Sequence, residues 1–314
     1  MSEPFWITGI VPAVFTPLHP DGSLNLSQVA PIVERLVSQG ASALYVCGAT
    51  GEGVSLTREE RMAVAESYIH AAAGRLPVFV QVGHDSLREA RSLAAHAQAV
   101  GASAISAIPP CFFKVDRLDG LLDSLGEICS AAPGMPFYYY HIPRLTAARF
   151  DIVELLHLSI TRLPALRGVK YSDFTIFELQ ACVELENRRF NILFGSDEML
   201  LSGLAGGAQG AVGTTYSFAL PLYLRIYKAF QAGQILEAQQ LQSLSVQMMR
   251  IINRYATAST NLPPMKSVMK LVGLDCGPLR LPLPSLTPFQ ELELGNALRT
   301  IGFFEWDQNI MSLS

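Results

Sequence analysis

The stretch Ala165-Leu166-Arg167-Gly168-Val169-Lys170-Tyr171-Ser172-Asp173 decides how the rest of this chain is read. A short apolar run delivers an amine to its carboxyl end and passes at once into a polar turn. A strand that ends in this way presents a potential nucleophile. In a closed parallel barrel the turn would sit on the face where barrel active sites are built, with Lys170 pointing into the mouth. A lysine snorkelling to solvent is the competing reading of the same run, so the remainder of the chain has to supply the barrel.

Working outward in both directions, apolar strand-like runs alternate with amphipathic helical stretches. Strands are expected at residues 8–15, 43–47, 78–82, 104–108, 137–141, 166–170, 191–194 and 210–214. Helical stretches fall between them, for example at 27–38, 57–73, 87–100 and 198–204. Thr57-Arg58-Glu59-Glu60 is a capping box, in which hydroxyl and carboxylate satisfy orphan amides at a helix start. Eight strand–helix units predict a (β/α)8 TIM barrel. A doubly wound open sheet would announce a nucleotide loop after its first strand, and Thr16-Pro17-Leu18-His19-Pro20 is no such loop. Beyond about residue 232 the strand signal stops, and 234–255, 264–272 and 288–301 read as helices. The expected organisation is a barrel over 1–231 and a C-terminal helical extension over 232–314 packed on it.

Composition narrows the function classes. The chain has 314 residues, half of them hydrophobic, and a net charge of -4, which is enough apolar material for one large core. The charge comes without basic or acidic blocks, so there is no footprint for nucleic acid or an anionic membrane. Five scattered cysteines without CxxC spacing argue against a disulfide framework or zinc site. The start, Met1-Ser2-Glu3-Pro4-Phe5-Trp6, carries no basic-then-apolar leader, and no apolar stretch reaches spanning length. A cytoplasmic protein with a small-molecule partner is expected. Six histidines never occur at metal-ligand spacing, so no metal and no cofactor are expected. Ser130 and Ser202 lack the nucleophile-elbow pattern.

Four loops at the carboxyl ends of strands, the one that follows Lys170 among them, carry unusual residues, which a barrel would bring to one opening. Gly48-Ala49-Thr50-Gly51-Glu52 offers close backbone approach and a hydroxyl, suited to a carboxylate, or else is an ordinary tight turn. Tyr138-Tyr139-Tyr140-His141-Ile142-Pro143 would set several phenols at the rim, unless they are core residues with satisfied hydroxyls. Gly195-Ser196-Asp197-Glu198 opens a helix, where two carboxylates either cap it or grip polyol hydroxyls. Gly206-Gly207-Ala208-Gln209-Gly210 comes after a helix and before a strand, the wrong order for nucleotide binding.

Taken together, Gly48-Ala49-Thr50-Gly51-Glu52, Tyr140-His141-Ile142-Pro143, Gly168-Val169-Lys170 and Gly195-Ser196-Asp197-Glu198 closely resemble the N-acetylneuraminate lyase and dihydrodipicolinate synthase family of pyruvate-dependent class I aldolases. The likeness runs from about Gly9 to Leu283 in matching order. It implies that Lys170 forms a Schiff base with the keto carbon of pyruvate and that Tyr140 relays protons. It implies further that Thr50 with its neighbours Gly48 and Ala49 holds the pyruvate carboxylate. Lys170-Tyr171-Ser172-Asp173, Gly213-Thr214-Thr215-Tyr216 and Gly277-Pro278-Leu279-Arg280-Leu281-Pro282-Leu283 resemble the animal-type lyases in particular. On that branch Ser172, Gly195, Asp197, Glu198 and Thr214 belong to the substrate site. The family is usually homotetrameric. The implied reaction is cleavage of N-acetylneuraminate to pyruvate and N-acetylmannosamine.

One position bears on the branch, and two more depart from the family pattern. The synthases place an arginine five residues after the relay tyrosine, where this chain has Leu145. Arg144 is one step off, a shift expected to redirect its side chain. Ala49 stands where the family usually has a serine or threonine hydroxyl, and Cys111-Phe112-Phe113 where bacterial relatives often carry a relay tyrosine. Another 2-keto-3-deoxy sugar acid, a synthase-like condensation, and a sugar-acid-binding barrel without turnover therefore stay open as alternatives.

Overall fold

Strand alternation in the interior is what this fold has to explain, because a parallel barrel buries both faces of every strand. In the computed structural model, which describes residues 5–306, eight strands form one parallel sheet. They are β1 (Gly9–Pro12), β2 (Leu44–Val46), β3 (Val78–Gln81), β4 (Ala104–Ala107), β5 (Phe137–His141), β6 (Leu166–Tyr171), β7 (Asn191–Phe194) and β8 (Gly210–Gly213). Hydrogen-bonded neighbours run β1-β8-β7-β6-β5-β4-β3-β2, and a parallel bridge from Ala13 to Tyr45 joins the two ends into a barrel.

Helices fill the intervals: α1 (Val29–Gln39), α2 (Arg58–Ala72), α3 (Leu87–Ala99), α4 (Leu118–Ser130), α5 (Pro143–Thr146), α6 (Ile152–Arg162), α7 (Ile176–Arg188), α8 (Leu200–Ala205) and α9 (Tyr216–Gln231). The Thr57–Glu60 capping box opens α2 as the sequence predicts: the Glu60 amide donates to Thr57 Oγ1 and the Thr57 amide to the Glu60 carboxylate. Three further helices follow, α10 (Ile235–Ile252), α11 (Leu262–Leu271) and α12 (Pro288–Thr300). α10 lies along α9, and α12 packs on α10 and α11. Met1 to Pro4, and the part of the expected extension beyond residue 306, lie outside the described residues. No helix among those described is long and apolar enough to cross a membrane.

The buried side chains divide into two clusters, one between strands and helices and one inside the barrel. Ala43 and Tyr45 of the β2 run, Phe79, Ala104, Tyr138, Tyr140, Leu193 and Val212 belong to the inner cluster. The period-2 alternation therefore separates the tyrosine run: Tyr138 and Tyr140 face inward, whereas Tyr139 joins the outer cluster. The expectation of several phenols at the rim is corrected accordingly. Tyr138 belongs to the floor, where its hydroxyl donates to Asn191 Oδ1 at 2.9 Å. The same oxygen accepts from the Ile7 amide at 3.1 Å, and Asn191 Nδ2 donates to the Ile7 carbonyl at 3.0 Å.

The register between β5 and β6 slips by one residue: Phe137 pairs with Leu166, but Tyr138 pairs with Gly168. Arg167 is the extra residue, and such a bulge re-aims the side chains that follow it. Leu166 packs outward on the helices, and beyond the bulge Lys170 faces the inner rings. A Cβ on Gly168 would lie 1.9 Å from the Asn191 carbonyl oxygen and 2.8 Å from the Tyr138 ring. Gly168→Ala should therefore force β6 off β7, at a cost of about 1–3 kcal/mol. Thermal unfolding should show it as a fall of roughly 2–4 °C for each kcal/mol, and an unchanged Tm would refute the close approach.

Candidate active site

Lys170 lies on β6 with 4% of its surface exposed. Its Nζ is 3.7 Å from the centroid of the Tyr45 ring and 4.0 Å from that of Tyr140. Burial lowers its pKa to about 7, against a smaller opposing pull from Asp197. Ring faces attract an ammonium by about 0.5–2 kcal/mol, whereas removing one from water costs several. Desolvation wins, so the amine is neutral in a large fraction of molecules near pH 7.

The two tyrosines are held by different means. Tyr45 pairs its hydroxyl with Ser106 Oγ at 2.9 Å, and its ring meets that of Tyr140 edge-on at 5.7 Å. Burial raises the Tyr140 pKa, and a hydrogen bond with Ser172 offsets part of the rise. Tyr140 is thus a neutral phenol able to give or pass on a proton.

A cavity of about 750 Å³ opens above Lys170 at the carboxyl ends of the strands. Ala49, Thr50, Tyr140, Lys170, Ser172, Gly195, Asp197, Glu198 and Thr214 all line it. Each is a residue that the sequence points to, and the fold brings them together from five strand ends. Gly48 does not line it. A Cβ there would stand 2.6 Å from the Tyr45 ring, so the glycine makes room for that ring. Thr50 Oγ1 and Thr214 Oγ1 lie 2.7 Å apart, a hydroxyl pair joining the loops after β2 and β8.

Asp197 does not cap its own helix. Its Oδ2 accepts from the Thr215 amide and the Thr215 hydroxyl, both at 2.7 Å. Gly213 leaves the space for this, since a Cβ there would fall 1.8 Å from Asp197 Oδ1. Burial, then the neighbouring Glu198, raises the Asp197 pKa to about 6. The carboxylate therefore carries charge at pH 7 and faces the amine across the cavity.

Both Arg144 and Leu145 line the mouth, as does Arg149. The one-step shift therefore does not remove Arg144, because consecutive positions of the short α5 turn both border this wide opening. No ion pair holds Arg144 or Arg149 among the described residues. Sequence reasoning missed Tyr45, although its phase with Ala43 on an inward strand face was a readable signal. It also missed the hydroxyl-rich segment 256–261, which lines the cavity from the loop between α10 and α11. Periodicity gives no hint that an extension loop returns to the barrel mouth. No group of three or more His, Cys, Asp or Glu among the described residues is placed to hold a metal ion.

Known proteins resemble this chain in sequence and in fold. N-acetylneuraminate lyase A of Xenopus laevis is 40% identical over 287 residues, covering 90% of this chain and 92% of that protein. The solved Proteus mirabilis N-acetylneuraminate lyase superposes with a TM-score of 0.91 at 32% identity, over 95% of this chain and 100% of that one. A catalytic lysine mutant of Ruminococcus gnavus sialic acid aldolase superposes with a TM-score of 0.87 at 27% identity, over 94% and 97%. The profile of the Dihydrodipicolinate synthetase family matches residues 6–301. With eight strands, their loops and the helices after them all inside that match, this chain belongs to the dihydrodipicolinate synthetase family.

Proposed function

We propose that this chain is a Schiff-base aldolase that cleaves N-acetylneuraminate to pyruvate and N-acetylmannosamine. The observation that carries the reading is Lys170, an amine buried between two tyrosine rings with its pKa lowered to about 7. Lys170 attacks the keto carbon of the open-chain sugar acid, and loss of water gives an iminium. A base takes the proton from the C4 hydroxyl, and the C3–C4 bond breaks. Its electrons are held as an enamine of pyruvate while the aldehyde of N-acetylmannosamine departs. Protonation at C3 and hydrolysis release pyruvate and restore the amine.

Tyr140 is the proton relay in this scheme, since its ring already lies against the Lys170 amine. Thr50 binds the keto acid's carboxylate with the amides of its loop, flanked by Ala49 and Gly48. Asp197, Glu198, Ser172, Gly195 and Thr214 receive the polyol tail. Such acid–base assistance is worth about a hundredfold to ten-thousandfold in rate, so the missing hydroxyl at Ala49 slows rather than abolishes turnover. The division into 1–231 and 232–314 is likewise our inference, supported by the turn between α9 and α10. A reduced cytoplasmic setting is supported by five cysteines that are all free. A homotetramer rests on the family resemblance.

Arg144 and Arg149 at the mouth favour a second substrate, a 2-keto-3-deoxy sugar acid bearing another anionic group. Pyruvate release across a panel of keto acids separates the two. N-acetylneuraminate should give the highest kcat/KM, and a larger value for a doubly anionic acid would favour the second reading.

Borohydride with pyruvate should leave a stable adduct on Lys170, located by mass spectrometry, and Lys170→Ala should abolish turnover in a folded protein. An adduct on a different lysine would overturn the mechanism. Because the neutral amine is the nucleophile and its pKa is about 7, kcat/KM should climb roughly tenfold per unit below that value and level off above it. A climb continuing toward pH 10 would show an ordinary, solvated lysine instead. Chelators should leave turnover unchanged, since the iminium is the electron sink; loss in EDTA restored by a divalent ion would refute this.

A further inference from the structure

Glu52 ends the loop after β2 and sits in the left-handed region, with φ at 52°. Cys47 at the other end of the loop is left-handed too, at 58°. Non-glycine residues persist there only where their surroundings over-determine them. Within the loop, the Glu52 amide donates to the Ala49 carbonyl at 3.1 Å and the Gly53 amide to the Gly48 carbonyl at 3.1 Å. The Thr16 hydroxyl donates to the Gly51 carbonyl at 2.6 Å. These bonds shape the loop, and the Thr16 bond ties it to the chain after β1.

A second fixed point comes from the far end of the chain. Lys266 of α11 donates from Nζ to Glu52 Oε1 at 2.8 Å, with the two side chains only 2% and 1% exposed. The same ammonium donates to the Pro278 carbonyl at 2.7 Å, and Glu52 Oε2 accepts from the Arg280 amide at 2.9 Å. Both carboxylate oxygens are thus engaged by the C-terminal segment. The Arg280 guanidinium extends the hold by donating to the Ser55 carbonyl and to Glu60. Thr50, which lines the cavity and meets Thr214, is two residues from the anchored glutamate.

We propose that Lys266 is a positioning residue for the keto acid's carboxylate: through Glu52 it fixes the loop carrying Thr50, so that the C-terminal helices set the affinity of the barrel mouth. This rests on reading that loop as the carboxylate cradle. A cradle that binds carboxylate alike in the ground and transition states changes KM rather than kcat when it is displaced.

Two variants test it. Lys266→Met leaves a lone buried carboxylate, and Glu52→Gln with Lys266→Met removes both charges. Three quantities are read for each: the pyruvate concentration giving half-maximal borohydride trapping on Lys170, kcat and KM for N-acetylneuraminate, and Tm. Both variants should raise the half-saturating pyruvate and the KM by about tenfold to a hundredfold, with the change in kcat small beside it. The double variant should regain Tm over the single one, because no unpaired charge is left buried, without regaining the wild-type KM. If Lys266→Met does not fold, the double variant decides alone. Wild-type half-saturation in a folded variant, or recovery of KM together with Tm, would reduce the pair to structural support and overturn the proposal. Trapping without cleavage of N-acetylneuraminate in the wild type would sink the sugar assignment only, leaving the trapping measurement to decide. No trapping in the wild type would overturn both.

Discussion

The Lys170 amine stays 3.7 Å from one tyrosine ring and 4.0 Å from another, on a residue only 4% exposed at the base of the cavity, and the barrel interior is arranged around this burial. Below it, Tyr138, Asn191 and Ile7 form a floor whose polar atoms satisfy one another. Beside it, Tyr45 and Ser106 do the same. Buried polar groups that lack partners are costly, so pairing them locally leaves the amine without a strong hydrogen-bonding competitor. The two tyrosine rings beside it desolvate an ammonium more than they stabilise one.

Above the amine the character of the barrel changes. Hydroxyls from Thr50 and Thr214 and the Asp197 carboxylate come from separate loops and converge on one cavity. Asp197 and Lys170 have pKa values displaced toward each other, to about 6 and about 7, by the same cause. Low-dielectric surroundings penalise both charges, and their mutual attraction recovers only part of that penalty. A site of this kind can change protonation near neutrality with small shifts in its surroundings, as proton-transfer chemistry requires.

The helices beyond residue 232 contribute more than cover. Lys266 reaches Glu52, Arg280 reaches Glu60, and the segment 256–261 lines the mouth. The active-site face is therefore bounded on one side by chain that is not part of the eight-fold repeat. A buried ion pair is a poor source of net stability compared with apolar packing. Its strict geometry is better suited to fixing where a loop sits.

The repeat of apolar runs and helices determined the barrel, because parallel strands buried on both faces must read as apolar runs with helices between them. Loop residues at the strand ends determined most of the site for the same reason: a closed barrel delivers all such ends to one face. What the sequence could not settle was the direction of individual side chains. Plain alternation puts Lys170 on the same face as Leu166, which packs outward on the helices. The bulge at Arg167 resets the phase, and with it Gly168 and Lys170 face the interior. That slip depends on how β5 pairs with β6 across the sheet, and the Glu52–Lys266 pair joins residues 214 positions apart. Both are contacts between distant segments, so only the tertiary structure decided them, whereas periodicity and loop chemistry are local and were already written in the chain.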